Sequence, residues 1–145
     1  PRLIAFNVRF GDPECQALML RLRSDLLEAL LAACDGRLAE TDLRWDDTHS
    51  LVVVMAARGY PGAYAKGSAV RGLDRAAAEP RARVFHAGTA AGPGGAVLAN
   101  GGRVLGIGAT GRTLQEAHDA AYRSAAAIDW PGGFYRRDIG HRALR

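Results

Sequence analysis

Residues 51–57 read Leu-Val-Val-Val-Met-Ala-Ala, a continuous apolar run that is rich in β-branched side chains. Such a run predicts a buried β-strand. Three further strand-like stretches follow at 83–86, 95–99 and 103–108. The last two flank Asn100-Gly101-Gly102, whose residues tolerate the positive φ of a hairpin turn. The sequence therefore predicts a mostly antiparallel sheet with a hairpin at its end.

Helical patterns lie on both sides of these strands. On the amino-terminal side, residues 3–9 alternate as a short strand, and Asp12-Pro13-Glu14 then forms a helix start in which Asp12 can cap. Leucines recur at helical spacing from there, which predicts one helix ending near Gly36. On the other side, Thr113-Leu114-Gln115-Glu116 is a capping-box pattern that opens a second helix. A strand and helix, then strands, then a helix predict an α+β fold.

Composition and charge exclude several classes of protein. The chain has 145 residues, 48% of them apolar, which suits one folded unit and argues against intrinsic disorder. No apolar stretch approaches the roughly 18 residues of a membrane helix, and the first residues lack a signal-peptide pattern. Two cysteines form no disulfide framework, which suits a reducing compartment, so we expect a cytoplasmic location. The net charge of +4 is scattered among acidic residues, and nucleic-acid binding is therefore not expected.

Asn7 and Arg9 are the first candidate functional residues, since they share one face of the predicted strand next to the helix start. An amide oxygen can bind a hard cation, and an arginine can neutralise an anion that develops during phosphoryl or acyl transfer. The alternative is that Asn7 and Arg9 simply end a surface strand before a capped helix, and the spacing alone favours this structural interpretation.

A glycine-rich stretch at 59–67 carries Lys66, the one lysine among 19 basic residues. It could place backbone and an ammonium group along an anionic ligand, although an ordinary turn between strands explains the same residues. The spacing does not match a P-loop. His86 lies in a predicted strand, where it is expected to pack or form a hydrogen bond. The glycines at 106, 108 and 111 lie within a strand, so they are not a dinucleotide fingerprint.

Several blocks of residues, in order, resemble one enzyme family. Arg9-Phe10-Gly11-Asp12-Pro13-Glu14-Cys15-Gln16 is similar to the signature of the glycinamide ribonucleotide synthetases, also called phosphoribosylamine–glycine ligases. The resemblance continues through five further blocks, at residues 24–26, 54–62, 84–89, 100–104 and 128–140. It covers almost the whole chain, but only the C-terminal part of the family's sequence.

The resemblance implies an ATP-grasp ligase of purine biosynthesis, which joins glycine to 5-phosphoribosylamine at the expense of ATP with Mg²⁺ or Mn²⁺ bound. Residues 1–44 would be the last strand and helix of the ATP-grasp domain, and residues 45–145 the C-terminal α+β domain. The family's Glu-x-Asn-x-Arg pattern makes Asn7 a metal ligand and Arg9 the catalytic residue that faces the phosphoryl group. Asp12, Glu14 and Lys66 are predicted to bind substrate.

Two departures from the family pattern define the alternatives. Ala5 stands where the metal-binding glutamate is expected, and alanine cannot bind a cation. The segments that would hold adenine, the ATP phosphates and most of the ribosylamine belong to the part of the family's sequence upstream of Pro1. We therefore expect the chain to be inactive alone and to need the upstream segments of the same enzyme. The alternative is a non-catalytic binding or assembly module derived from the ligase; a basic nucleic-acid-binding domain is a weaker third.

Overall fold

A computed structural model describes residues 8–144 of the chain. The predicted α+β class is confirmed, with helices packed on antiparallel sheets. The α-helices and strands are, in chain order, α1 (Glu14–Met19), α2 (Leu26–Cys34), β1 (His49–Ala57), β2 (Ala69–Val70), α3 (Leu73–Ala77), β3 (Ala82–His86), β4 (Thr89–Ala91), β5 (Val97–Ala99), β6 (Arg103–Gly111), α4 (Leu114–Ala126) and β7 (Gly133–Phe134).

The larger sheet has the strand order β3-β6-β1-β7, and all of its pairs are antiparallel. The strand predicted at 51–57 is β1, next to β6 in this sheet, with Val53 opposite Ile107. Both side chains are fully buried. They belong to the core that α4 covers with a face of small residues, which allows the helix to approach the sheet closely: Ala117, Ala120, Ala121, Ser124 and Ala125.

The opposite face of this sheet is covered by α1 and the residue that follows it, Leu20, next to the Phe85 side chain of the neighbouring strand β3. A Cβ at position 108 would lie 2.7 Å from Leu20 Cδ1 and 2.9 Å from Phe85 Cε2. Gly108 therefore lets these two side chains reach the strand itself. Gly108 thus serves the packing of Leu20 and Phe85 against β6.

The hairpin predicted at Asn100-Gly101-Gly102 is wrong. Although β5 and β6 are consecutive, β5 pairs with β2 and β4 in a separate three-stranded sheet of order β2-β5-β4. Residues 100–102 carry the chain from the small sheet to the large one. The Asn100 N–H donates to the Gly88 carbonyl (2.7 Å), so this segment turns toward the end of β3 instead of folding back on β5.

The single helix predicted from Asp12 to Gly36 is two helices. Residues 20–25 leave the helical path, and Leu22 forms an isolated antiparallel bridge with Trp45. Asp25 then caps α2, because its Oδ1 accepts from the Leu27 N–H at 2.7 Å. A capping side chain in mid-pattern favours a new helix start over continuation. Gly36, with φ +70°, follows the end of α2 as predicted.

The predicted helix after Thr113 is confirmed as α4. Thr113 Oγ1 accepts from the Glu116 N–H at 3.2 Å, which is the cap that the pattern indicated. The predicted amino-terminal strand has its first five residues, 3–7, outside the described part, and Val8 and Arg9 are not in a strand. Within residues 8–144, no helix is long and apolar enough to cross a membrane.

Candidate functional site

Three loops meet at one end of the large sheet. Since β1 and β3 end there and β6 begins there, residues 58–67, 87–88 and 100–102 are brought together. Main-chain hydrogen bonds connect them: the Ala57 N–H donates to the Gly102 carbonyl (2.8 Å), and the Gly88 N–H to the Arg103 carbonyl (2.9 Å). This end of the sheet is a rigid platform for side chains.

The loop after β1 lies directly over the start of β6. The Tyr60 ring contacts Gly102 so closely that a Cβ there would lie 2.7 Å from Cε2 of the ring, and Tyr64 Cε1 would lie 3.2 Å away. At Gly59 the main chain has φ +98°, and the Ala63 carbonyl occupies the space that a side chain would need. Both glycines are therefore required by the close approach of this loop.

Arg103 connects this platform to the turn that carries the predicted site residues. Its Nη1 donates to the main-chain carbonyl of Asp12 (2.7 Å), and its Nη2 lies 3.1 Å from Asp12 Oδ2. Gln16 Nε2 donates to the other carboxylate oxygen of Asp12 at 3.3 Å. Both members of the Arg103–Asp12 pair are partly exposed, with 39% and 48% of their side chains accessible.

Asp12 does not cap α1, contrary to the sequence prediction. Pro13 occupies the N-cap position and makes no side-chain capping bond. The Asp12 carboxylate turns away to Arg103 and Gln16 because the guanidinium offers two donors, one for the carboxylate and one for the carbonyl. This residue therefore joins two parts of the molecule.

Arg9 precedes Asp12 in the sequence, and Glu14 follows it. The Arg9 side chain is exposed and donates through Nη1 to the Phe10 carbonyl at 2.9 Å. Glu14 folds back over Gly11, where a Cβ would lie 2.7 Å from the carboxyl carbon Cδ. A helical bond from the Cys15 N–H to the Gly11 carbonyl (2.9 Å) closes the turn. Arg9, Asp12 and Glu14 thus belong to one compact turn.

Lys66 is exposed at the end of the loop that lies over Gly102. The next residue, Gly67, donates its N–H to the Ala99 carbonyl at 2.7 Å. Ala99 and Arg103 are four residues apart, so their Cα atoms are separated by at most about 14 Å. The loop at residues 58–67, called here the Lys66 loop, and the turn at residues 9–14 are therefore attached to the two ends of the short segment 99–103.

Most of the shifted pKa values belong to ion pairs at the other end of the sheet and in the tail, while hydrogen bonds with His118 and Gln115 lower the pKa of Asp119 on α4. Arg112 follows the last residue of β6, and hydrogen bonds from its N–H and its guanidinium hold the pKa of Glu116 below its usual value. A hydrogen bond from Arg123 likewise lowers the pKa of Glu79. In the tail, two hydrogen bonds from Arg136 lower the pKa of Asp138. These are structural ion pairs on the surface.

The predicted metal ligand, Asn7, lies outside the described residues, as does Ala5. Among residues 8–144, no group of three or more His, Cys, Asp or Glu could hold a metal ion. The next acidic residue along the chain after the predicted ligand is Asp12, and its carboxylate is bound by Arg103. The described part of the site does not by itself fit a metal.

Sequence reasoning missed Arg103. Its block at residues 100–104 stood among those that carry the family resemblance, but nothing local shows that an arginine will meet a carboxylate 91 residues earlier. His86 was interpreted correctly as a hydrogen-bonding residue, since its Nδ1 lies 3.1 Å from Thr89 Oγ1.

Comparison with known proteins identifies the family. The family model described as "Phosphoribosylglycinamide synthetase, C domain" matches residues 50–142, which is more than half of the chain. The chain belongs to the phosphoribosylglycinamide synthetase family. The resemblance recognised in the sequence is thereby confirmed.

Relatives in this synthetase family match nearly the whole chain. Phosphoribosylamine–glycine ligase from Mesorhizobium japonicum is 58% identical over 99% of the chain, which covers 33% of that protein. The chloroplastic phosphoribosylamine–glycine ligase of Arabidopsis thaliana is 56% identical over 100% of the chain and 27% of its own length. The chain spans about a third of the length of the curated relatives that it matches.

A solved structure in the synthetase family has the same fold. The crystal structure of phosphoribosylamine–glycine ligase from Thermotoga maritima is 34% identical in sequence and has a TM-score of 0.67. The match covers 92% of this chain and 32% of that protein. The chain thus corresponds to the C-terminal part of these longer relatives.

Proposed function

We propose that this chain is the C-terminal third of a ligase that joins glycine to 5-phosphoribosylamine, producing glycinamide ribonucleotide, ADP and phosphate. The observation that carries the proposal is the match to phosphoribosylamine–glycine ligases at 56–58% identity over the whole chain. The turn formed by residues 9–14, which bears the family's signature, is folded and held by Arg103, and this supports the same function.

The reaction would proceed in two steps. The carboxylate of glycine attacks the γ-phosphorus of ATP and releases ADP, which leaves an acyl phosphate. The amine of 5-phosphoribosylamine then attacks the acyl carbon, loses a proton and expels phosphate. Arg9, exposed on its turn, would neutralise the negative charge that develops on the transferring phosphoryl group.

Substrate binding would fall to the other predicted residues. Glu14 lies in the same turn as Arg9, with its carboxylate over Gly11. Lys66 supplies an exposed ammonium on the loop that covers Gly102 and could bind an anionic group of a substrate. For Asp12 the contacts favour a narrower role: because its carboxylate is bound to Arg103, it would hold the turn in place.

The chain would work with upstream segments of the same enzyme, and residues 1–44 would complete its ATP-grasp domain. Large apolar side chains left exposed in the described residues support this division, because nine of the ten that stand out lie between residues 8 and 45. Exposed apolar patches of this kind mark a surface that another part of the protein covers. They are Val8, Phe10, Leu18, Leu27, Leu30, Leu31, Leu38, Leu43 and Trp45.

ATP as cosubstrate follows from the proposed ligase reaction, whereas bound Mg²⁺ or Mn²⁺ stays a prediction from the resemblance. Its one predicted ligand is Asn7, and the described residues form no metal-binding cluster. No step above depends on the metal. The cytoplasmic location also stays a prediction; one relative carries the name chloroplastic.

The decisive experiment measures ADP release from Mg-ATP, glycine and freshly generated phosphoribosylamine. The chain would be assayed alone and joined to the upstream two thirds of the Mesorhizobium japonicum relative. We expect no activity from the chain alone, activity from the joined protein, and loss of turnover in Arg9→Met. Arg112→Met is the matched control, since Arg112 is 90% exposed at the far end of β6.

A second candidate function is a non-catalytic assembly module, and Ala5 favours it because the resemblance places a metal-binding glutamate there. A joined protein that folds but releases no ADP would support this alternative. If Ala5→Glu then restored turnover, the missing carboxylate would be the cause. ADP release from the isolated chain at the rate of the joined protein would contradict both proposals.

A further inference from the structure

Arg103 occupies an unusual position for a residue with a partly exposed side chain. Its main chain is fixed on both sides, because it lies opposite Ala56 in the β1–β6 pair and its carbonyl accepts from the Gly88 N–H at 2.9 Å. Its side chain reaches outward to the carbonyl and the carboxylate of Asp12, at 2.7 and 3.1 Å. Arg103 thus joins the end of the large sheet to the turn formed by residues 9–14.

We propose that Arg103 is a positioning residue for the ligation reaction. It acts through Asp12: by holding both the main chain and the side chain of that residue, it fixes the turn from which Arg9 projects three residues earlier. The inference rests on the proposed function, since it presumes that Arg9 faces the reacting phosphoryl group. Nothing in it requires Arg103 to touch substrate.

The contacts call for arginine at this position. The two Asp12 acceptors are different groups, a peptide carbonyl and a carboxylate, and they bind different nitrogens of one planar guanidinium. A lysine ammonium carries the same charge on a flexible stem, without two donors fixed in one plane. Lysine would therefore keep the attraction to the carboxylate but fix the orientation of the turn less well.

Arg103 also sets the position of the turn relative to the Lys66 loop. The residue before it, Gly102, lies against the rings of Tyr60 and Tyr64 in that loop. The turn that carries Arg9 contacts Arg103, and the loop that carries Lys66 contacts the preceding residue, Gly102. A small displacement of a catalytic group can lower turnover by about 100-fold, so a loosened turn should affect kcat first.

The test uses the joined full-length protein and the variants Arg103→Met, Arg103→Lys and Arg112→Met. We expect Arg103→Met to lower kcat by roughly 10- to 100-fold with little change in the KM for ATP. Arg103→Lys should fall between wild type and Arg103→Met, and Arg112→Met should match wild type. A purely structural role would instead lower the amount of active protein and leave kcat per folded molecule unchanged.

Hydrogen exchange gives a readout that does not depend on activity. Exchange at the Cys15 amide, which donates to the Gly11 carbonyl, should become faster in Arg103→Met and stay unchanged in Arg112→Met. A silent wild-type joined protein would refute the proposed function, whereas the exchange rates would still test the hold on the turn. A kcat within twofold of wild type in Arg103→Met, or equal exchange in both variants, would overturn the assignment of Arg103.

Discussion

Replacing Gly102 by alanine should destabilise the chain, because the added methyl group would enter space that the Tyr60 ring occupies. The new Cβ would lie 2.7 Å from Cε2 of that ring and 3.2 Å from Cε1 of Tyr64. The loop cannot simply retreat, since its own turn depends on Gly59 and the Ala63 carbonyl. One of the two rings or the start of β6 must move.

The expected cost is that of overpacking a closely packed site, about 1–3 kcal/mol in the free energy of unfolding. With a denaturant slope of about 2 kcal/mol per molar urea, the unfolding midpoint should fall by roughly 0.5–1.5 M. Gly106→Ala, in the strand β6 that follows Gly102, is the control. Its Cβ would meet Val52 Cγ1 at 3.6 Å and Phe85 Cβ at 3.8 Å, which are ordinary contacts. Alanine there should be neutral or stabilising by about 0.5–1 kcal/mol, because glycine weakens a strand interior.

Urea unfolding followed by circular dichroism would measure both variants. In a Tyr60→Ala background most of the cost of Gly102→Ala should disappear, because the closest obstacle is gone. The reasoning would be refuted if Gly102→Ala lost no more stability than Gly106→Ala, or if its cost were the same with and without the Tyr60 ring. Either result would mean that the Tyr60 ring does not limit the space available at position 102.

Two further predictions concern α4. Ser124→Ala should lower the free energy of unfolding by about 1 kcal/mol, since the buried hydroxyl donates to the Ala76 carbonyl at 2.9 Å and this carbonyl would keep only the longer bond from the Glu79 N–H at 3.4 Å; urea unfolding measures it, and an unchanged midpoint would contradict it. The Arg123–Glu79 pair should stabilise the chain at neutral pH and less in acid: the lowered pKa of Glu79 contributes stability above the ordinary glutamate value, which is lost as the pH falls through the folded-state pKa. The stability difference between wild type and Arg123→Met should therefore shrink from pH 6 to pH 3, and a difference that does not vary with pH would argue against the pair.

Some features of the fold were predictable because their signals are local. The strand β1 follows from an unbroken apolar run with three consecutive valines, and α4 follows from the Thr113 cap with a face of small residues. Both signals act within a few residues of the chain. The division of the first helix was not predicted, since the leucine spacing continues through a break that Asp25 and the Leu22–Trp45 bridge impose.

The sequence also indicated which residues belong to the candidate site, through the signature at residues 9–16 and the loop that carries Lys66. It could not indicate how they are held. Asp12 was predicted to cap a helix, and in the structure it binds Arg103 instead. Both roles satisfy a carboxylate, and the choice depends on a guanidinium that folding brings from another part of the chain.

By itself, the sequence determined the family, the α+β class and the elements with strong local periodicity. Only the tertiary structure decided that β5 leaves β6 for a separate sheet, and that residues 91 apart join the signature turn to the end of the large sheet. The physical reason is range. Side-chain periodicity and capping are settled among near neighbours, whereas strand partners and long-range ion pairs depend on where the whole chain returns.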